Sequence, residues 1–145
     1  TTWWEQWNGY YSQIHSCFTS LDGWFYQGLA GIRPDPTAPG FKHIIIKPAV
    51  VGDLTWVKCH HDSPYGRIVS NWRRTADNFE METRIPANTT ATVYVPAANP
   101  EVITESGKPL DKVPGVKLLR MDNGHAVLAV ESGTYRFASK VQGDQ

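Results

Sequence analysis

The chain has 145 residues, with fourteen basic residues against fourteen acidic ones, 12% aromatic and 19% charged residues. That length suits one ordinary domain with its own core, or one domain plus a small appendage. Balanced charge without a basic patch argues against a nucleic-acid partner. No apolar run approaches the ~20 residues a bilayer-spanning helix needs, so no membrane partner is expected. Charged residues fall below the roughly 25% usual for a soluble domain. Low charge with many aromatics fits a surface covered by something else, a protein that stacks on sugars, or an aromatic-rich β core.

The first element is a sticky N-terminal stretch, TTWWEQW, with Trp3, Trp4 and Trp7 around the acid Glu5. Next, Ile14, Cys17, Phe18, Leu21, Phe25, Gly28, Leu29 and Ile32 recur at three- and four-residue spacing. This pattern predicts an amphipathic helix, with Ser12 as N-cap and Ala30-Gly31 at its end. Trp24 widens the stripe, so the helix is expected to bury it on a neighbour, either the following domain or another copy. Cys17 falls on this face and reads as a free buried thiol; Cys17 and Cys59 fit no metal spacing.

Arg33 to Phe41, RPDPTAPGF, reads as a linker or wrapping loop. Strands are predicted at 43–47, 54–61, 67–73, 79–85, 90–95, 102–105, 116–120, 126–131 and 134–138, from alternating or β-branched runs. Turns fall at Ser63-Pro64-Tyr65-Gly66, Pro86-Ala87-Asn88, Asp122-Asn123-Gly124 and Ser132-Gly133, and Asn123-Gly124 is a strong hairpin signal. About nine short strands at this spacing predict a mainly β chain: an antiparallel β-sandwich preceded by one or two helices. Trp56 and Trp72 lie inside alternating strands, where a core position is expected.

Candidate chemistry is sparse. A carboxyl walled by indoles is desolvated, which favours its neutral form, and indole faces stack on pyranose rings. Glu5 therefore reads either as a proton-transfer group or as an exposed glutamate near a helix start. His15 reads either as a sugar contact or as a histidine bonded to nearby backbone. In His60-His61-Asp62, adjacent strand residues point to opposite faces, so they make poor co-ligands and no metal is expected. Asn88-Thr89-Thr90 matches a glycosylation sequon that is common by chance. There is no Gly-rich phosphate loop, nucleophile elbow or zinc motif, and no cofactor is implied.

The motifs TTWWEQW, HSCFTSLDGWFYQGLAGI, PGFKHIIIKP, GRIVSNWRR and IPANTTATVYVP, in this order, resemble the C-terminal part of bacterial α-L-rhamnosidases of glycoside hydrolase family 78. The resemblance runs from Thr1 to about Pro96 and continues weakly in the final strand SGTYRF. It implies residues 1–33 as the terminal loop and last helix of an (α/α)6 catalytic barrel, and 34–145 as a C-terminal β-sandwich. The family pattern Thr-Thr-x-Trp-Glu-x-Trp falls on Thr1, Thr2, Trp4, Glu5 and Trp7. Its glutamate is the family's proposed general base, so the resemblance implies that role for Glu5.

In an inverting glycosidase, one carboxylic acid protonates the departing oxygen. A second carboxylate, ~6.5–9.5 Å away, activates water on the opposite face of the sugar. The resemblance makes Glu5 the second group, kept ionised by hydrogen-bond donors, with Trp4, Trp7 and His15 as substrate-binding residues. Ser12 matches the serine that opens the family's last helix; Ile14 stands where the family has asparagine, and the loop from Glu5 to His15 is shorter. The general acid is expected outside this chain, in the remainder of the barrel. The isolated chain is then expected to be inactive, and the parent protein to act on a rhamnose-containing glycoside or polysaccharide. The competing reading is a non-catalytic carbohydrate-binding or structural sandwich, recognising glycan through Trp56, Tyr65 or Trp72.

Overall fold

A computed structural model of the protein describes residues 4–15 and 20–141. After a short α-helix, α1 (Leu21–Trp24), and one π turn (Phe25–Leu29), the chain is built of short strands. These are β1 (Ile32–Pro34), β2 (His43–Ile46), β3 (Trp56–Ser63), β4 (Gly66–Arg74), β5 (Asn78–Ile85) and β6 (Thr90–Pro96). They continue with β7 (Thr104–Glu105), β8 (Lys108–Pro109), β9 (Val116–Asp122), β10 (His125–Val130) and β11 (Gly133–Lys140). A five-stranded sheet, in the order β1-β2-β6-β10-β9, packs on a six-stranded sheet, in the order β3-β4-β5-β11-β7-β8.

The alternation read in the sequence is the alternation that packs. Ile44, Ile46, Val93, Val95 and Leu128 of one sheet meet Ile68, Trp72, Phe79, Met81 and Phe137 of the other, all at most 2% exposed. Trp72 stacks on Phe79 with ring centroids 6.0 Å apart. Burying such side chains is worth about 1.5–3 kcal/mol each, which makes this seam the source of the domain's stability. At the β9–β10 hairpin both Asn123 and Gly124 have positive φ, the two-residue turn whose twist matches its strands.

Three expectations are corrected, and the antiparallel-rich sandwich, which holds, gains one parallel pair. Trp56 is 60% exposed rather than in the core, because the register that sets it opposite Arg73 turns it outward while Val57 and Cys59 pack inward. The stretch read as a linker contributes β1, whose Ile32 is buried; its Arg33 and Pro34 are tolerated because β1 is an edge strand. In the parallel pair β2 runs beside β6, with His43 opposite Thr90. His43 bridges that pair, its ring nitrogens 2.7 Å and 2.8 Å from the hydroxyls of Thr90 and Thr92.

The helix is the third correction. Its expected end at Ala30-Gly31 holds, but α1 begins only at Leu21, and the Ser12 hydroxyl donates to Ile14 O within a loop instead of capping a helix. Leu21, Trp24, Phe25 and Tyr26 are 44–53% exposed, so this part of the stripe is not buried on the sandwich, whereas Gly28 and Ile32 at its end are. A short helix gains most of its stability from packing its apolar face, and among the described residues these four side chains stay exposed. Cys17, expected as a buried thiol, lies outside the described residues.

Candidate functional site

The segment carrying Glu5 folds back on itself. The Glu5 amide donates to Ser12 O at 2.9 Å, and the Ser12 amide donates to Glu5 Oε2 at 3.4 Å. The same carboxylate oxygen lies 3.8 Å from His15 Nδ1. The structure therefore brings Glu5 and His15, ten positions apart in sequence, to one end of a small loop. Gly9, at φ +68, turns this loop, and the Trp4 indole packs over it, so close that a Cβ there would stand 3.1 Å from Cζ3. The sequence-predicted residues do not all converge. Trp7 projects fully into solvent, and the Glu5 side chain is 39% exposed. Trp3 lies outside the described residues.

The end of the helix beyond this loop is held firmly. A helix leaves its last four carbonyls without intrahelical partners. Here each carbonyl from Gln27 to Gly31 accepts a bond from the sandwich or its first strand. Gln27 O accepts from Arg33 Nε at 2.7 Å, and Gly28 O from the Ala49 amide at 2.9 Å. Leu29 O accepts from Trp72 Nε1 at 2.8 Å, Ala30 O from Ser70 Oγ at 2.6 Å, and Gly31 O from the Lys47 amide at 3.0 Å. Ser70 and Trp72 reach inward from β4 and are almost wholly buried. Breaking one such bond and leaving a buried carbonyl unpaired costs about 1–3 kcal/mol. On the outer side, Tyr26 meets His61 edge-on at 6.4 Å, and His61 lies 4.6 Å from the Phe41 ring. The sandwich thus grips the end of the helix through its backbone, whatever side chains the helix carries.

Sequence reasoning missed this clamp. Its one legible signal was Ser70, a polar residue on the inward phase of an apolar strand, where a buried hydroxyl must find a partner.

Elsewhere, electrostatics are local. The Thr37 amide and hydroxyl, both bonded to Asp35 Oδ1, hold the Asp35 carboxyl below the usual carboxylate range. Hydrogen bonding from Arg67 does the same for Asp62. Burial pushes the Cys59 thiol up. Among the described residues, no group of three or more His, Cys, Asp or Glu stands together as a metal cage would require.

A cavity of about 810 Å³ opens on the outer face of the six-stranded sheet, and none of Trp4, Glu5, Trp7 or His15 lines it. It is bounded by Trp56 on β3 and by Ser106-Gly107 at the β7–β8 turn. The chemistry read in the sequence lies elsewhere, on the N-terminal loop. The two are separate features of the molecule.

Comparison with known proteins gives a consistent answer. The family described as the bacterial alpha-L-rhamnosidase C-terminal domain matches residues 31–109. An α-L-rhamnosidase of Formosa agariphila is 28% identical over 97% of this chain, and one of Alteromonas sp. (strain LOR) is 31% identical over 81%. The chain spans only 16% and 14% of those two proteins. Among solved structures, the Streptomyces avermitilis α-L-rhamnosidase in complex with L-rhamnose superposes with a TM-score of 0.78 at 29% identity, covering 89% of this chain and 12% of that one. The α-L-rhamnosidase of Dictyoglumus thermophilum gives 0.77 at 32% identity, covering 89% and 14%.

Proposed function

Because the chain belongs to the bacterial α-L-rhamnosidase C-terminal domain family, we propose that it works as the C-terminal part of an inverting α-L-rhamnosidase, in which Glu5 is the general base and the sandwich fixes the last helix of the catalytic barrel. The residues up to the helix end at Ala30-Gly31 then complete the barrel, and the chain from β1 (Ile32–Pro34) onward is the domain that braces it, so the boundary expected at residue 33 moves back to free the whole of β1 for the sandwich. The remainder of the barrel is the partner that covers Leu21, Trp24, Phe25 and Tyr26, and the substrate is a terminal α-L-rhamnosyl residue of a glycoside or polysaccharide.

The observation that carries this reading is the juxtaposition of Glu5 and His15 on a loop leading into a clamped helix. A general base must hold its charged form and reach a water. The Ser12 amide supplies a donor to Glu5 Oε2, and His15 stands beside the same oxygen. In the assembled barrel, Trp4 and Trp7 close over this carboxylate and present apolar faces to the sugar ring. Glu5 takes a proton from water as that water attacks the anomeric carbon, while an acid from the rest of the barrel protonates the leaving oxygen. A base displaced by an ångström or so loses much of its effect, so the clamp bears on catalysis through position.

The test is hydrolysis of an aryl α-L-rhamnoside by the protein containing this chain in its full length, with and without Glu5→Gln. Loss of about three or more orders of magnitude in kcat, with little change in KM, is expected for removal of a base acting in the chemical step. Full activity in Glu5→Gln would refute the assignment. The isolated 145-residue chain should show no turnover, because on this reading the acid comes from the rest of the barrel.

A further inference from the structure

The cavity on the outer face of the six-stranded sheet has no role in the catalysis assigned to Glu5. Its floor is two cross-strand rows. Trp56, Arg73, Glu80 and Ala138 stand opposite one another across β3, β4, β5 and β11. Lys58, Asn71, Glu82 and Arg136 form the next row. Within the rows, Arg73 Nε bonds Glu80 Oε2 at 2.8 Å, and Arg136 Nε lies 3.7 Å from Glu82 Oε2. Trp56 is 60% exposed at the open edge of the sheet.

We propose that this face is a second carbohydrate-binding surface, in which a pyranose ring stacks on Trp56 and the glycan chain runs across the strands toward the Ser106-Gly107 turn.

Three observations select a glycan over other occupants. The volume, about 810 Å³, suits a ligand of several rings. The rows present fixed donors and acceptors side by side, which a hydroxyl can satisfy because it both donates and accepts. Those groups recur at the strand spacing of about 4.8 Å, close to the advance of one sugar unit along an extended chain. Phosphate is disfavoured because most of the lining cations are already engaged: Arg73 and Arg136 each lie against a glutamate, and Arg74 donates to Leu54 O and Gly52 O, while Lys58 is balanced by no third carboxylate among the described residues of the floor. Composition favours a ring over a protein partner, because Trp56 is the one large apolar side chain in the two rows, a single flat face rather than the cluster of apolar anchors a protein interface uses.

The surface acts independently of Glu5, and its test needs no turnover. The full-length protein is run through native gels containing rhamnogalacturonan, xylan or galactomannan, beside Trp56→Ala and Trp56→Phe. Retardation by at least one polymer is expected. Trp56→Ala should weaken it about tenfold or more, as for a stacked aromatic anchor, and Trp56→Phe should keep most of it. The kcat/KM for a small aryl α-L-rhamnoside should be unchanged in both variants, which also reports correct folding. No retardation by any of the three polymers, or retardation of Trp56→Ala equal to that of the wild type, overturns the proposal. If Glu5→Gln kept full activity while Trp56→Ala lost retardation, the catalytic assignment would fall and this one would stand.

Discussion

Replacing Gly31 with alanine tests the clamp at its tightest point. Gly31 has φ +73, and a Cβ there would stand 2.1 Å from the Lys47 carbonyl carbon and 2.3 Å from both Lys47 O and Pro48 N. Two costs add. The left-handed backbone costs an alanine roughly 1–2 kcal/mol. The overlap is with backbone that no rotamer change can move aside, so the 47–48 segment must shift. That shift disrupts the Lys47 amide bond to Gly31 O and the neighbouring Ser70 bond to Ala30 O, at about 1 kcal/mol net for each.

The sum is about 3–4 kcal/mol, a large part of the roughly 5–15 kcal/mol that stabilises a typical domain. With a urea m-value of ~2 kcal/mol/M, the unfolding midpoint should fall by about 1.5–2 M. Gly40→Ala is the matched control. Gly40 has φ +75 with nothing within 4 Å of the added Cβ, so it carries the backbone cost alone, about 1–2 kcal/mol. Equilibrium urea unfolding of the two variants, followed by circular dichroism, gives the difference directly. If Gly31→Ala lost no more stability than Gly40→Ala, the close approach at Lys47 would not be a constraint and the clamp would not depend on it.

Trp72→Phe keeps a ring in the core but leaves Leu29 O without its donor, so it should cost about 2–3 kcal/mol in the same urea experiment; a loss within error of zero would show that the indole N–H is not needed there. The Asp35 carboxyl, held low first by the Thr37 amide and then by its hydroxyl, adds to stability above the ordinary carboxylate value of 3.8, and that contribution fades as pH falls through its lowered pKa. Thr37→Val removes the hydroxyl and keeps the amide, so an NMR titration should move the Asp35 midpoint partway back up; an unmoved midpoint would assign the whole effect to the backbone.

Much of the sandwich was legible because its strands are amphipathic. Ile68, Ser70 and Trp72, or Phe79, Met81 and Thr83, declare one inward face by alternation alone. Strand β3 did not, because Trp56 and Val57 offer an apolar residue to either phase. Only pairing with β4, a long-range fact, decides between them. β1 was hidden by Pro34, which reads as a break unless the strand is known to lie at an edge. The helix was legible at its end, where Gly31 is required, and not at its start, because apolar spacing marks a face without showing whether that face is packed, and Leu21, Trp24 and Phe25 are exposed. For the site, Glu5 was readable from a motif, whereas its meeting with His15 and the backbone grip of β4 on the helix end are products of tertiary packing.

The parallel pairing of β2 with β6 has a consequence for the order of assembly. β3–β4 and β4–β5 are hairpins that close over a few residues, and β1 pairs with β2 nearby, but the β1–β2 pair joins the rest of its sheet only through Thr90–Pro96, more than forty positions later. Loop closure over that distance comes late in folding. During synthesis the helix end emerges first, and its donors Lys47, Ala49, Ser70 and Trp72 become fixed only when both sheets have met. The segment that bears Glu5 is therefore anchored by the completion of the sandwich. A lesion far from it, anywhere that slows closure of β6 onto β2, delays the maturation of the whole N-terminal end.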